Sequence, residues 1–110
     1  MLEITVELKN TILDTFKIDK SEITIGRNSA NDITIDNLAV SDRHVRIVKS
    51  KGSYILEDLN STNGTSVNGR QIKQITIRGD LQVEIGKYHL LINTIGDKDP
   101  SPDFDRTMKI

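Results

Sequence analysis

The chain has no cysteine and no tryptophan, and its only aromatic residues are Phe16, Tyr54, Tyr88 and Phe104. Without cysteine there is no disulfide framework, no thiolate metal site and no thiol nucleophile. Four scattered rings do not supply the stacking platform that single-stranded nucleic-acid binders use. No stretch approaches the roughly 20 apolar residues of a membrane helix. Met1-Leu2-Glu3-Ile4 enters alternation at once, with neither the basic n-region nor the apolar h-region of a signal peptide. The expectation is a cytoplasmic, reducing setting away from membranes. A charge excess is missing too: the net charge is -1, with 12 acids and 12 bases up to Ile95 and 4 acids against 3 bases beyond it. Neither part is a basic footprint, so nucleic-acid binding driven by counterion release is not expected. Only two imidazoles, His44 and His89, are present, and Asp32, Asp36 and Asp42 lack calcium-loop spacing, so no metal site is expected.

What the chain does hold is alternation. Leu2, Ile4, Val6 and Leu8 interleave with Glu3, Thr5 and Glu7, the period of a half-buried strand. Asn10-Thr11 and Asp14 predict a turn, and Phe16 to Ile18 a second strand. Glu22 to Gly26 reads as a third strand and Ile33 to Ile35 as a very short one. His44 to Lys49 and Ser53 to Asp58 read as a hairpin turned at Lys51-Gly52. Asn60 to Gly69 is rich in Asn, Gly, Ser and Thr, interrupted by Val67. Strands over Arg70 to Ile77, Leu81 to Ile85 and Tyr88 to Ile92 follow. No window keeps a helical period for ten residues. Short strands about ten residues apart, rich in Ile, Val and Thr, predict an all-β antiparallel sandwich over residues 1–95. From Gly96 the chain turns polar and proline-containing, which reads as a flexible tail or linker over 96–110.

Three loop signals carry candidate chemistry. Gly26-Arg27 ends a strand; taken alone it is a terminal glycine and a solvated arginine, or else a guanidinium held at a rim, ready to give paired hydrogen bonds to phosphate or carboxylate. Ser41 and His44 lie three apart where a loop enters a strand. Three readings are open: a Ser–His catalytic pair, for which no Gly-x-Ser-x-Gly elbow is present; a local turn with a packed histidine; or a serine hydroxyl offered to an anion on a loop braced by a neutral imidazole, which has one donor and one acceptor. Asn63-Gly64 and Asn68-Gly69 read as turns flanking one short strand, with Asn63 at a loop tip and its carboxamide free. Such an amide can pair with a peptide backbone whatever its sequence.

In this order, Ile25-Gly26-Arg27, Val40-Ser41-Asp42-Arg43-His44, Asn63-Gly64 and Asn68-Gly69 resemble the forkhead-associated (FHA) domain, a phosphothreonine-peptide-binding β-sandwich. The resemblance spans roughly Leu2 to Ile95. It implies a two-sheet sandwich of about eleven short strands with the site on loops at one end. It implies that Arg27 and Ser41 are phosphate ligands, with Thr62 a further contact in the same pocket and Arg43 a neighbouring cation. Asn63 would hold the peptide backbone beside the phosphothreonine. Gly26, His44, Gly64 and Asn68 would support the loops. The function it implies is a phosphothreonine-dependent interaction module in signalling, downstream of a Ser/Thr kinase, with no catalysis and no cofactor. Two alternatives stand beside it: a phosphate-independent scaffolding or oligomerisation module of the same fold, and the N-terminal regulatory module of a larger enzyme.

At one position the chain departs from the family, many of whose members carry a cation or an amide just after the serine. Here that residue is Asp42. A carboxylate facing a dianionic phosphate would repel it, unless it turns away to pair with Arg27 or Arg43. In the tail, Thr107 is followed three residues later by Ile110. Since the family often selects the residue at that spacing, Thr107 is a candidate phosphorylation site, read by this domain in cis or by a neighbouring copy.

Overall fold

The computed structural model describes residues 1–95. Eleven strands form two sheets: β1 (Leu2–Leu8), β2 (Thr11–Ile18), β3 (Glu22–Gly26), β4 (Ile33–Thr34), β5 (Val45–Ser50), β6 (Ser53–Asp58), β7 (Thr65–Val67), β8 (Arg70–Gln71), β9 (Gln74–Ile77), β10 (Asp80–Ile85) and β11 (Tyr88–Thr94). One sheet runs β2-β1-β11-β10-β7-β8 and the other β4-β3-β5-β6-β9. The described residues contain no helix, and so none long and apolar enough to cross a membrane. The tail expected from Gly96, with Thr107, lies outside the described residues.

Alternation is what closes the sandwich. Leu2, Ile4 and Val6 of β1 and Leu90 and Ile92 of β11 point inward from one sheet; Ile23 and Ile25 of β3, Val45 and Ile47 of β5 and Leu56 of β6 point inward from the other. All are buried in one cluster, where each fully buried aliphatic side chain contributes about 1.5–3 kcal/mol. The glutamates and threonines between them stay at the surface.

Three expectations are corrected. The first turn falls at Lys9-Asn10, whose φ values are 52° and 64°, so β2 begins at Thr11 and passes Asp14 as strand. Beside Asp14 the strand carries a bulge, opposite Val6/Glu7. The run from Arg70 to Ile77 is not one strand: Arg70–Gln71 pairs with β7 in one sheet, and Gln74–Ile77 crosses to pair with β6 in the other. Finally, one ladder is parallel rather than antiparallel. After Gly26 the chain leaves, returns at Ile33 and runs alongside β3, pairing Ile25 with Ile33 and Gly26 with Thr34.

That parallel return has a consequence at one end of the sandwich. The loops 27–32, 35–44 and 59–64 gather there. So does the Gly86-Lys87 turn, since a Cβ on Gly86 would press on the Ala39 side chain.

Candidate functional site

The loops at this end are joined by backbone first. Arg27 N–H donates to the Ser41 carbonyl at 2.9 Å, His44 N–H to the Ile25 carbonyl at 3.0 Å, and Leu59 N–H to the His44 carbonyl at 2.9 Å. Glycine is required at 26, because a Cβ there would run into the Asp42 backbone carbonyl. Asn31 adds a second tie, its Nδ2 donating to the carbonyls of both Asn28 and Asp42 at 2.7 Å.

His44 is wholly buried and joins two loops. Its Nδ1 accepts the Ser41 backbone N–H at 3.1 Å, and its Nε2 lies 2.9 Å from the Gly64 carbonyl. An Nδ1 that accepts an N–H carries no proton of its own. The fitting tautomer is therefore neutral, with Nε2–H donating to Gly64. The imidazole meets the backbone of Ser41 and not its hydroxyl, so it is not aimed as a general base at a nucleophile. Ser41 Oγ instead accepts the Thr62 N–H at 2.9 Å. Among the described residues, its own O–H proton meets no acceptor.

The 59–64 loop is organised from Asp58, at the end of β6. Its carboxylate accepts from Ser61 Oγ, from Ser61 N–H at 3.1 Å and from Thr65 Oγ1 at 2.7 Å. Ser61 Oγ accepts in turn from Gly64 N–H at 3.0 Å. Burial pushes the Asp58 carboxyl up, but the hydrogen bonds from Ser61 and Thr65 outweigh it, and the group sits below the usual carboxylate range. The sequence reading missed Asp58 and Asn31. For Asp58 the available signal was Asp58-x-x-Ser61, an acid followed by a hydroxyl within one turn.

The expected ligand residues come together at the rim. Arg27 reaches Asp42, with Nη2 and Nε at 3.1 and 3.3 Å from Oδ1. Asp42 thus turns to Arg27, and Arg43, exposed, makes no hydrogen bond or ion pair among the described residues. The guanidinium has five N–H donors, and three stay available. Thr62 is exposed, tied by its backbone to Ser41. The Asn63 carboxamide is not free as expected: its Nδ2 donates to the Ala39 carbonyl at 2.9 Å. That bond fixes the amide plane and leaves Oδ1 without a donor among the described residues. Asn68 stands apart from these loops. With Gly69 it makes the tight turn between β7 and β8, at φ 53° and 79°, and supports the site only through the strand that follows Gly64. His89 lies on the outer face of β11 beside Gln82 and Glu84.

Among the described residues, no group of three or more His, Cys, Asp or Glu is placed to hold a metal ion. What the rim presents is a guanidinium, a hydroxyl proton and a fixed carboxamide oxygen, with a further exposed arginine beside them.

Comparison with known proteins gives a consistent picture. The family model of the FHA domain matches residues 23–86. The oxoglutarate dehydrogenase inhibitor of Corynebacterium diphtheriae is 34% identical over 76 residues, 69% of this chain and 53% of that protein. The glycogen accumulation regulator GarA of Mycolicibacterium smegmatis is 31% identical over 86 residues, 78% of this chain and 54% of that protein. The chain thus spans about half the length of these curated relatives. A structure solved for phosphothreonine-dependent FHA domain interactions superposes with a TM-score of 0.73 at 25% identity, over 84% of this chain and 97% of that one.

Proposed function

This chain belongs to the FHA domain family, and from that membership we propose that it is a phosphothreonine-dependent protein–protein interaction module. The observation that carries the reading is the shared placement of Arg27 and Ser41. The Arg27 backbone is bonded to Ser41, and the hydroxyl proton of Ser41 has no acceptor among the described residues. A phosphothreonine brings about -1.5 to -2 charges and three acceptor oxygens. The guanidinium and the hydroxyl meet that charge with charge-assisted hydrogen bonds. Asn63 Oδ1 accepts a backbone N–H of the peptide, and Thr62 and Arg43 close the pocket. The loops are already tied by His44 and Asp58, so little ordering is needed on binding. A micromolar affinity, on the order of -8 kcal/mol, suits a site of this size.

In this reading the domain is not catalytic, works in the cytoplasm and lies downstream of a Ser/Thr kinase. One observation favours phosphate-independent binding instead: Asp42 already occupies part of the guanidinium. Calorimetry with a phosphothreonine peptide and its unphosphorylated twin decides between them. The phosphorylated peptide is expected to bind and the twin to give no heat, and Arg27→Ala is expected to remove binding with its melting temperature unchanged. Equal binding of both peptides would overturn the phosphate reading.

A further inference from the structure

A groove of about 260 Å³ opens on the side of the sandwich between the edge strands β2 and β4. Its lining is mixed: the apolar side chains of Val6, Leu13, Phe16, Ile33 and Ile35 stand beside Thr34 and Tyr88. Val6, Ile33 and Ile35 are core residues, so the floor belongs to the buried cluster. Leu13, on one wall, is 52% exposed. Two exposed carboxylates, Asp14 and Asp36, also line the groove, and no basic side chain does. The volume falls below the roughly 300–1,000 Å³ of small-molecule sites. It suits one side chain rather than a cofactor.

The groove shares one segment with the phosphate loops, since Ile35 and Asp36 begin the 35–44 loop. Ile35 N–H donates to the Gly26 carbonyl at 2.9 Å, one residue before Arg27. From Ile35 a short hydrogen-bonded run leads to the site: Asn37 N–H to Ile35, Val40 N–H to Asn37, and Ala39 N–H to the Asn37 side chain, each at 2.9 Å. Ala39 then holds Asn63. Leu38, in this run, is 89% exposed. This run ties the Ile35 wall of the groove to the Ala39–Asn63 bond at the rim.

We propose that the groove between β2 and β4 takes one apolar side chain from the residues flanking the phosphothreonine of the partner, with a neighbouring lysine or arginine meeting Asp14 and Asp36. The inference rests on the phosphothreonine reading and adds a second anchor to it. Phosphate recognition alone leaves partners undiscriminated; an apolar anchor with a basic neighbour selects among them.

The test uses a library of phosphothreonine peptides with degenerate flanks and a single phosphothreonine peptide flanked by alanines. The wild-type protein is expected to enrich an aliphatic or aromatic residue beside a lysine or arginine at one spacing from the phosphothreonine. Leu13→Glu, at a half-exposed position, is expected to keep its melting temperature and its binding of the alanine-flanked peptide. It should lose the apolar preference, binding the enriched peptide about tenfold more weakly. Asp36→Lys is expected to lose only the basic preference. Unchanged selection in both variants, with the alanine-flanked peptide still bound, would overturn the groove and spare the phosphate reading. A concentration-dependent dimer of the wild type, abolished in Leu13→Glu, would assign the groove to a second copy and overturn the proposal. Failure of the wild type to bind any phosphothreonine peptide would remove both readings.

Discussion

His44 and Arg27 stand at the same end of the sandwich, joined through Ser41, yet they are held in opposite ways. Both ring nitrogens of His44 are spent inside the protein, on the Ser41 amide and the Gly64 carbonyl, with no exposure at all. Arg27 has one ion pair among the described residues, to a carboxylate that is 68% exposed, and three donors that no described residue uses. The first arrangement fixes backbone; the second keeps a charge available. A binding site on loops needs both, because loops without a buried brace would have to be ordered by the ligand itself. It follows that removing the brace should cost fold and function together, while changes at the rim should alter binding alone.

The largest effect is expected from His44→Ala. The substitution leaves the half-buried Ser41 N–H and Gly64 carbonyl without the imidazole, each worth about 1–3 kcal/mol, and opens a cavity where His44 was buried. Chemical denaturation should show a loss of about 3 kcal/mol or more, and phosphopeptide affinity should fall with it. A variant as stable as the wild type would mean that the two loops are held by something other than the imidazole.

Asp58 sharpens the comparison because it braces through charge. Its carboxyl is depressed in the folded state, so the stability it contributes is fully present above the unfolded carboxylate pKa, near 3.8, and is lost as pH falls through the folded value. Asp32 is also depressed, chiefly by its hydrogen bond from Lys20, and adds to the same acid limb. The Asp58 share is isolated by Asp58→Asn. At pH 7 the variant is expected to be about 1.5–3 kcal/mol less stable, the scale of hydrogen bonds to a charged group. The gap should narrow as pH drops below about 4. A constant gap across that range would assign the loss to packing.

The difference between rim and brace also explains what the sequence disclosed. Strands β3 and β6 could be bounded in advance because alternation and flanking turn residues agreed there. The run from Arg70 to Ile77 was read as one strand: the step of three from Ile72 to Ile75 breaks its period of two, but only pairing partners send one half to each sheet. Arg27, Ser41 and Asn63 were visible as motif residues. Asp58 was not, since a strand ending in an acid is ordinary until Ser61 and Thr65 are seen to converge on it. The groove was least legible of all, because its walls come from four separate segments and each residue there passes for core or surface by itself.

The smallest effect is expected at Asp42, where rim residues oppose each other. Its carboxylate holds Arg27 in place but also competes with an incoming phosphate for the same guanidinium. An exposed pair of this kind is worth about 0–1 kcal/mol, so the competition is slight. Asp42→Asn keeps the volume, removes the negative charge and frees the guanidinium. Stability should stay within about 0.5 kcal/mol of wild type, as for most surface substitutions. Phosphopeptide affinity, measured by calorimetry at low salt, should rise about two- to fivefold, with the gain shrinking as salt screens the carboxylate. A fall in affinity would reverse the assignment: the pairing with Asp42 would then be what aims Arg27 at the phosphate, and the carboxylate would belong to the brace rather than the rim.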